Sequence, residues 1–337
     1  MFAELIQPVL ERRDLSDAQA TALMAYLLSG DATDAQIGGA LLALRVKVCT
    51  THELAAFARV MRAEAAVIRH DIPDLVDTCG TGGGRSSFNL STGAAIVAAA
   101  AGAKIAKHGN RAVTSRCGSA DVLEALGIRI GQDVERLGHL LDQHGIIFLF
   151  APAHHPAMRW VGNARRELGV RTVFNQLGPL ANPAGATRQL IGVYDPSMMR
   201  GMVEALRLLG AERALVVHGD DGLDEISPCA PTEYARWDGE QVTMGRYSPA
   251  DFGMDALPES ALASGDTPQE NAAVLEEALR DVRSPRAHAL VPNAAAALML
   301  GGVADSLGEA AEFARQAIAD GRAWQTLEAL RSDTGAM

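Results

Sequence analysis

The chain has 337 residues, of which 48% are hydrophobic and 21% charged, and its formal net charge is −11 at pH 7. This length and apolar content suit about two ordinary folded domains and exclude an intrinsically disordered protein. The net negative charge argues against sequence-independent binding of nucleic acid, because such binding needs a basic surface. Cys49, Cys79, Cys117 and Cys229 lack metal-ligand spacing, so we expect free thiols in a reducing compartment.

The sequence offers no membrane or secretion signal. Residues Met1 to Arg12 place Glu4 and Glu11 among apolar residues, unlike a signal peptide. The longest apolar stretch, Gly93 to Ala103, is about half of a membrane span. We therefore expect a cytoplasmic protein with no membrane partner.

Helix signals dominate residues 1–72. Three capping boxes, in which a hydroxyl residue precedes Gln or Glu by three positions, begin at Ser16, Thr33 and Thr50. Gly30 is suited to ending the helix that follows the first box. Because these helices are apolar on one face, they must pack on one another or on a neighbour, so we predict a small N-terminal helical domain.

From Leu75 onward, short apolar runs alternate with helical segments. Strands are predicted over residues 75–78, 103–106, 146–150, 190–194 and 214–217. Helices are predicted after Ser91, over residues 119–126, 197–209 and 269–280, and from Pro292 to the end. This alternation predicts a larger α/β domain with a mostly parallel central sheet. The segment Arg165–Pro183 resembles neither a strand nor a helix, and we interpret it as a crossing between subdomains.

A glycine run follows the first predicted strand. The amides of Gly80-Thr81-Gly82-Gly83-Gly84 can form a nest for an anion. The run is neither a Walker loop, which ends in Gly-Lys-Ser/Thr, nor a dinucleotide fingerprint, because Arg85 stands at the third position. Asn89-Leu90-Ser91-Thr92 then opens an apolar helix whose free amides also attract phosphate. Singly, these features are also typical of a turn and a helix cap; together they predict a polyphosphate site.

Two polar clusters follow other predicted strands. Lys107-His108-Gly109-Asn110-Arg111 comes after the strand ending at Ala106, and Asp224-Glu225 comes after the strand ending at Val217. Open α/β sheets bind ligands at the carboxyl ends of their strands. Paired carboxylates hold Mg²⁺ while substrate phosphates complete its shell. The clusters together predict a metal-bridged polyphosphate, although a lone histidine is more typical of packing and an acidic run of a solvated turn.

These motifs resemble the anthranilate phosphoribosyltransferase family, within the nucleoside phosphorylase/phosphoribosyltransferase group. The matching segments span nearly the whole chain: residues 77–83, 88–92, 106–111, 150–152, 155–158, 165–169, 182–183, 222–225 and 293–295. The resemblance implies Mg²⁺-dependent transfer of the phosphoribosyl group of phosphoribosyl pyrophosphate (PRPP) to the amine of anthranilate, in tryptophan biosynthesis. It also implies a homodimer formed through the helical domain. The implied domains are residues 1–72 with a returning segment at about 165–190, and residues 73–164 with 191–337.

The resemblance carries roles over to individual positions of this sequence. The positions implied to bind PRPP are Gly80, Gly83, Gly84, Ser87, Asn89, Ser91, Thr92, Lys107, Ser115 and Ser119. Those implied to bind anthranilate are Gly80, His108, Asn110 and Arg165. The implied magnesium ligands are Ser91, Asp224 and Glu225. Lys107 is the candidate for stabilising the departing pyrophosphate, and His108 is the candidate general base.

The glycine loop departs from the family pattern. Gly84 stands where Asp is common, Ser87 stands where Thr is common, and the loop is one residue shorter than in many members. Two other functions remain open: a pyrimidine nucleoside phosphorylase with the same fold, and a non-catalytic nucleic-acid-binding paralogue. The paired acids argue against both, and Asn110 with Arg165 suits an aromatic carboxylate better than a nucleoside.

Overall fold

The computed structural model describes residues 1–112 and 116–333, so the predicted phosphate contact Ser115 lies outside the described residues. Four helices open the chain: α1 Phe2–Leu10, α2 Asp17–Leu28, α3 Asp34–Lys47 and α4 Thr51–Ala63. The capping boxes at Ser16, Thr33 and Thr50 are present and start α2, α3 and α4, as predicted. Gly30, with φ of 92°, follows the end of α2.

A seven-stranded sheet forms the centre of the rest of the chain. Its strands are β1 Leu75–Gly80, β2 Lys104–Gly109, β3 Ile146–Phe150, β4 Arg188–Gly192, β5 Arg213–Gly219, β6 Thr232–Trp237 and β7 Val242–Tyr247. The order is β3-β2-β1-β4-β5-β6-β7. The first five strands in this order are parallel, and β6 and β7 add to β5 antiparallel. The predicted α/β class with a mostly parallel sheet is confirmed.

Helices cover the sheet and form the C-terminal part of the described chain. They are α5 Leu90–Ala100, α6 Ser119–Ala125, α7 Val134–His144, α8 Ala151–His154, α9 Arg159–Leu168, α10 Phe174–Leu177, α11 Met199–Leu208, α12 Pro268–Arg280, α13 Pro285–Leu300, α14 Leu307–Ala319 and α15 Arg322–Asp333. Among the described residues, no helix is both long and apolar enough to cross a membrane.

The strand order places a switch point between β1 and β4. From β1 the chain winds through β2 to β3 on one side, and from β4 it continues through β5 on the other. The neighbouring strands end together, since Gly80 pairs with Gly192. A crevice opens beyond strand ends at such a point, and it is the usual ligand site of a parallel α/β sheet.

Three details differ from the sequence predictions. Arg165 lies within a regular helix, α9, although the prolines and polar residues after it argued against one. The hairpin β6–β7 was missed, because its apolar residues other than Ala235 are only partly buried or exposed. Helix α13 begins at Pro285, with Pro292 inside it, because a cap from Ser284 starts the helix earlier.

Two large hydrophobic clusters hold the fold together. One packs α5, α13 and α14 against one face of the sheet. The other joins α1–α4 to α11 and to buried side chains of the segment after α9, including Val173, Phe174, Leu177 and Leu180. The segment that follows Arg165 therefore packs with the N-terminal helices.

Candidate active site

A cleft of about 670 Å³ opens at the carboxyl ends of β1, β2, β4 and β5. It is lined by every predicted site residue that the structure describes: Gly80, Gly83, Gly84, Ser87, Asn89, Ser91, Thr92, Lys107, His108, Asn110, Ser119, Arg165, Asp224 and Glu225. Residues more than a hundred positions apart are thus brought to one site. The parallel strands explain this, because each delivers its following loop to the same edge.

The glycine loop after β1 turns back over the strand ends. Gly82 and Gly83 have φ of 66° and 86°, which L side chains rarely adopt. The Thr81 amide donates to the Gly192 carbonyl at 2.8 Å, and the Tyr194 amide donates to Thr81 Oγ1 at 3.2 Å. The amide of Gly82 donates to Asp224. The loop is therefore fastened to β4 and brought over the carboxylates.

Polar groups at the start of α5 form hydrogen bonds with other parts of the protein. The Asn89 side chain does not cap the helix; its Nδ2 donates to the Cys117 carbonyl at 3.2 Å, and its Oδ1 is buried without a partner. The Ser91 amide donates to Glu225 Oε1 at 2.9 Å. The prediction that free amides at this helix start receive phosphate is thus wrong for the Ser91 amide, which a carboxylate already satisfies.

Asp224 and Glu225 are adjacent, partly buried carboxylates. Burial raises the pKa of Glu225 to about 8, with a further contribution from the charge of Asp224, and burial also raises the pKa of Asp224. Asn293 of α13 holds their loop, because its side chain donates to the Ile226 carbonyl and accepts from the Ile226 amide, both at 2.9 Å. Two partly buried carboxylates placed together favour a cation between them.

The donor set suits a hard cation that also binds a polyphosphate. Asp224, Glu225 and the nearby Ser91 hydroxyl offer oxygen ligands, which Mg²⁺ prefers. Across residues 1–112 and 116–333, no group of three or more His, Cys, Asp or Glu side chains could hold a metal by itself. Mg²⁺ bound by one or two carboxylates usually completes its coordination with water and with phosphate oxygens of a substrate.

Lys107 is buried on β2 with 4% of its surface exposed. Its Nζ donates to the Thr78 carbonyl of β1. Its charge lowers the pKa of both Asp77 and Glu225. Lys107 therefore presents a fixed positive charge at the floor of the cleft, between two acidic groups.

His108 is held as a neutral imidazole. Its backbone amide donates to Asp77 Oδ1 at 3.0 Å, and its Nδ1 lies 3.1 Å from the Gly178 carbonyl. A carbonyl can only accept, so Nδ1 carries the proton, and the buried Nε2, which has no partner among the described residues, has a free lone pair. Burial, together with the neighbouring His155 ring 5.2 Å away, lowers the pKa of His108 to about 3.

Arg165 of α9 and Asn110, which follows β2, also line the cleft. The Arg165 guanidinium lies 5.2 Å from the centre of the Phe174 ring, and burial lowers its pKa. Within the described part of the chain it has no ion-pair partner. Asn110 Oδ1 accepts from the Arg111 amide at 2.7 Å, and the Asn110 carbonyl accepts from Ser119 Oγ at 3.2 Å.

Sequence reasoning missed several residues of this cleft. Arg171 reaches the glycine loop, and Asp77 orients His108 from within β1. Arg85 forms an ion pair with Glu259, and Arg116 forms one with Asp266, both on the segment before α12. No local pattern marks these residues, because each acts on a loop distant in the sequence.

Two family models match the chain. The description "Glycosyl transferase family, helical bundle domain" covers residues 3–65, and "Glycosyl transferase family, a/b domain" covers residues 72–324. Anthranilate phosphoribosyltransferase of Syntrophobacter fumaroxidans is 49% identical, over 98% of this chain and 98% of that protein. The enzyme of the same name from Myxococcus xanthus is 48% identical, over 97% of each chain.

Solved structures agree with this result. The crystal structure of anthranilate phosphoribosyltransferase from Thermus thermophilus superposes with a TM-score of 0.92 at 41% identity, covering 98% of this chain and 99% of that one. The enzyme from Saccharomyces cerevisiae, solved in complex with PRPP and Mg, has a TM-score of 0.89 at 28% identity, with 100% and 98% covered. By similarity along nearly its whole length, the chain belongs to the anthranilate phosphoribosyltransferase family.

Proposed function

We propose that this chain transfers the phosphoribosyl group of PRPP to the amine of anthranilate, giving N-(5-phosphoribosyl)anthranilate and pyrophosphate, a step of tryptophan biosynthesis. One observation carries the proposal: a single cleft is lined by a glycine loop, a buried lysine, a carboxylate pair and an arginine that has no ion-pair partner among the described residues. A polyphosphate donor matches the first three groups, here called the donor end, and a carboxylate-bearing acceptor matches the arginine, here called the acceptor end.

The donor end would hold PRPP. We assign its contacts to Gly80, Gly83, Gly84, Ser87, Asn89, Ser91, Thr92, Lys107 and Ser119, and to Ser115, which lies outside the described residues. Ser91, Asp224 and Glu225 would hold Mg²⁺, which offsets the charge that the diphosphate gains as it leaves. The positive charge of Lys107 acts on the same developing charge, and both groups are in place before reaction.

The acceptor end would hold anthranilate through Gly80, His108, Asn110 and Arg165. Arg165 can meet a planar carboxylate with two parallel hydrogen bonds. The unpartnered Nε2 of His108 can accept a hydrogen bond from the aromatic amine. A pKa of about 3 makes His108 a weak proton acceptor, so we assign it orientation of the amine first and proton removal second.

The reaction is a displacement at the anomeric carbon. The amine nitrogen forms a bond to that carbon, the bond to the diphosphate oxygen breaks with both electrons leaving on oxygen, and the nitrogen releases one proton. An aromatic amine is nucleophilic without activation, so no covalent enzyme intermediate is required. The protein contributes orientation of the two substrates and stabilisation of charge.

Three finer statements belong to the same proposal. We place the protein in the cytoplasm, and we divide it into residues 1–72 with about 165–190, and residues 73–164 with 191–337. We also propose a homodimer formed through the helical domain. Leu10, Leu42, Val46 and Val48 on and after α1 and α3 are exposed apolar side chains, which supports a partner there.

One assay tests the activity. Protein, PRPP, Mg²⁺ and anthranilate are mixed, and the loss of anthranilate fluorescence is followed. If the protein shows no turnover in this assay but cleaves a pyrimidine nucleoside with phosphate, it is a phosphorylase instead. Salt-dependent binding of single-stranded DNA without turnover would support a binding paralogue. The named relatives support neither alternative.

A further inference from the structure

Arg171 joins the N-terminal helices to the glycine loop. It lies between α9 and α10, and its Nη2 donates to the Gly83 carbonyl at 2.8 Å. The carbonyl of Arg171 itself accepts from the guanidinium of Arg45 at the end of α3. The backbone of Arg171 therefore contacts the N-terminal helices, and its side chain contacts the glycine loop.

The loop is shaped around this side chain. A Cβ added to Gly83 would lie 2.2 Å from Arg171 Nη2 and would displace the guanidinium, and the φ of 86° at this position also favours glycine. The guanidinium in turn lies flat over the Tyr194 ring, 3.7 Å from its centre. A stacked, hydrogen-bonded arginine is restrained in position. The backbone of Tyr194 also holds Thr81, so Tyr194 supports both sides of the loop.

Arg171 differs from the other arginines at the donor end of the cleft. Arg85, Arg111 and Arg116 are paired with Glu259, Glu124 and Asp266. Among the described residues, Arg171 has no carboxylate within ion-pair distance, and its side chain bonds a neutral carbonyl. Its charge lowers the pKa of Asp224. A cation that is held in place but left unneutralised raises the affinity of the neighbouring loop for an anion.

We propose that Arg171 is a positioning residue that holds the glycine loop ready for the diphosphate and couples it to the acceptor site. This inference rests on the proposed function. The coupling arises because Arg171 follows α9, the helix that carries Arg165, by only a short connection. A ligand that orders the glycine loop through Gly83 thereby also restrains the segment that presents Arg165, and each substrate strengthens binding of the other.

The test measures binding rather than turnover. Calorimetry gives the Kd of Mg²⁺-pyrophosphate, and the Kd of anthranilate with and without Mg²⁺-pyrophosphate, for wild type, Arg171→Ala, Arg171→Lys and Tyr194→Leu. The matched control is Arg166→Ala, because Arg166 is exposed on α9 and its side chain bonds only to Asn163 in the described chain. Thermal unfolding of each variant checks that the fold is retained.

We expect Arg171→Ala to weaken Mg²⁺-pyrophosphate binding roughly tenfold or more, the effect of losing one charge-assisted contact. Its anthranilate Kd should no longer respond to Mg²⁺-pyrophosphate, whereas wild type and Arg166→Ala should respond. Arg171→Lys should retain part of the pyrophosphate affinity through its charge, and Tyr194→Leu should weaken the coupling without removing the charge.

Unchanged pyrophosphate affinity in folded Arg171→Ala would overturn the inference, and so would a coupling in folded Arg171→Ala and Tyr194→Leu that equals the wild-type coupling. So would a wild-type anthranilate Kd that is the same with and without Mg²⁺-pyrophosphate. These results differ from failure of the proposed function, in which the wild-type protein binds neither PRPP nor anthranilate and shows no turnover.

Discussion

A Cβ added to Gly84 would lie 2.5 Å from Oδ1 of Asp224 and 2.7 Å from the Asp224 amide nitrogen. The space that an aspartate would need at position 84 is therefore filled by the carboxylate that we assign to magnesium. The family pattern has Asp at this position, so we infer that the shorter loop of this chain requires glycine here.

This contact gives a direction to the effect of Gly84→Asp on the magnesium requirement. The new side chain has to push Asp224 away from Glu225, so the Mg²⁺ concentration for half-maximal activity should rise roughly tenfold or more, about 1.4 kcal/mol in metal binding. Gly84→Ala should show a similar effect, since the clash begins at Cβ. Gly308→Ala, which meets nothing within 4 Å, is the control. Magnesium titrations that superimpose on wild type would show that the loop moves aside freely.

The carboxylate pair should be essential for turnover and dispensable for folding. Asp224→Asn with Glu225→Gln removes several kcal/mol of charge stabilisation from the transition state, which corresponds to a fall of roughly a thousandfold in kcat/KM. Thermal stability without metal should not fall, because neutral amides relieve two carboxylates whose pKa values burial raises. Asp220→Asn in the same loop, an exposed acid paired with Arg246, should be close to wild type. Retained activity at saturating Mg²⁺ would remove these residues from the metal site.

Arg165→Ala should damage acceptor binding selectively. The lost charge-assisted bonds are worth roughly 2–4 kcal/mol in a partly desolvated site, or about 30- to 1000-fold in kcat/KM. The loss should fall on the KM of anthranilate and leave the KM of PRPP nearly unchanged. Arg165→Lys should recover only part of it, because an ammonium lacks the planar fork. Equal damage to both KM values would contradict the assignment, and Arg166→Ala should change neither.

Two buried histidines should each contribute a loss of unfolding free energy in acid. Burial lowers the pKa of His108 to about 3 and that of His155 to about 4, against an ordinary 6.5. Below pH 6.5 the unfolded chain binds protons that the folded chain does not, so the free energy of unfolding falls as pH falls toward about 4. Three acids oppose this, because the folded state takes up their protons first: Asp77, with its pKa raised to about 6, Glu225, with its pKa raised to about 8, and Asp224, whose pKa is also raised.

Replacing one of these histidines tests the sign of its contribution to the pH dependence of the unfolding free energy. His155→Gln should reduce the loss of unfolding free energy between pH 7 and pH 4 by on the order of 1–3 kcal/mol. Urea unfolding at several pH values measures it. His139→Gln, an exposed position on α7, is the control and should follow wild type. A His155→Gln curve parallel to wild type would mean that His155 ionises equally in both states.

Much of this protein was readable from its residues alone. The capping boxes at Ser16, Thr33 and Thr50, the strands that start at Leu75 and Ile146, and the glycine turn after β1 all appeared where expected. These features depend on groups within a few positions of one another, so local chemistry decides them. The order of motifs along the chain also predicted the loops that meet in one cleft, because parallel strands bring their carboxyl ends together.

Other features were decided only by tertiary structure. Arg171 meets Gly83 across 88 positions, and Asn293 holds Ile226 across 67. Glu225 accepts a hydrogen bond from the Ser91 amide, which was expected from the sequence to be free for phosphate. Each contact depends on where distant segments cross and how burial changes their charges, and an arginine or asparagine has the same local pattern whether it faces water or a loop. The sequence by itself therefore determined most of the helices and parallel strands and the loops that line the cleft, while packing between distant segments decided which side chains hold these loops and which of their groups are charged.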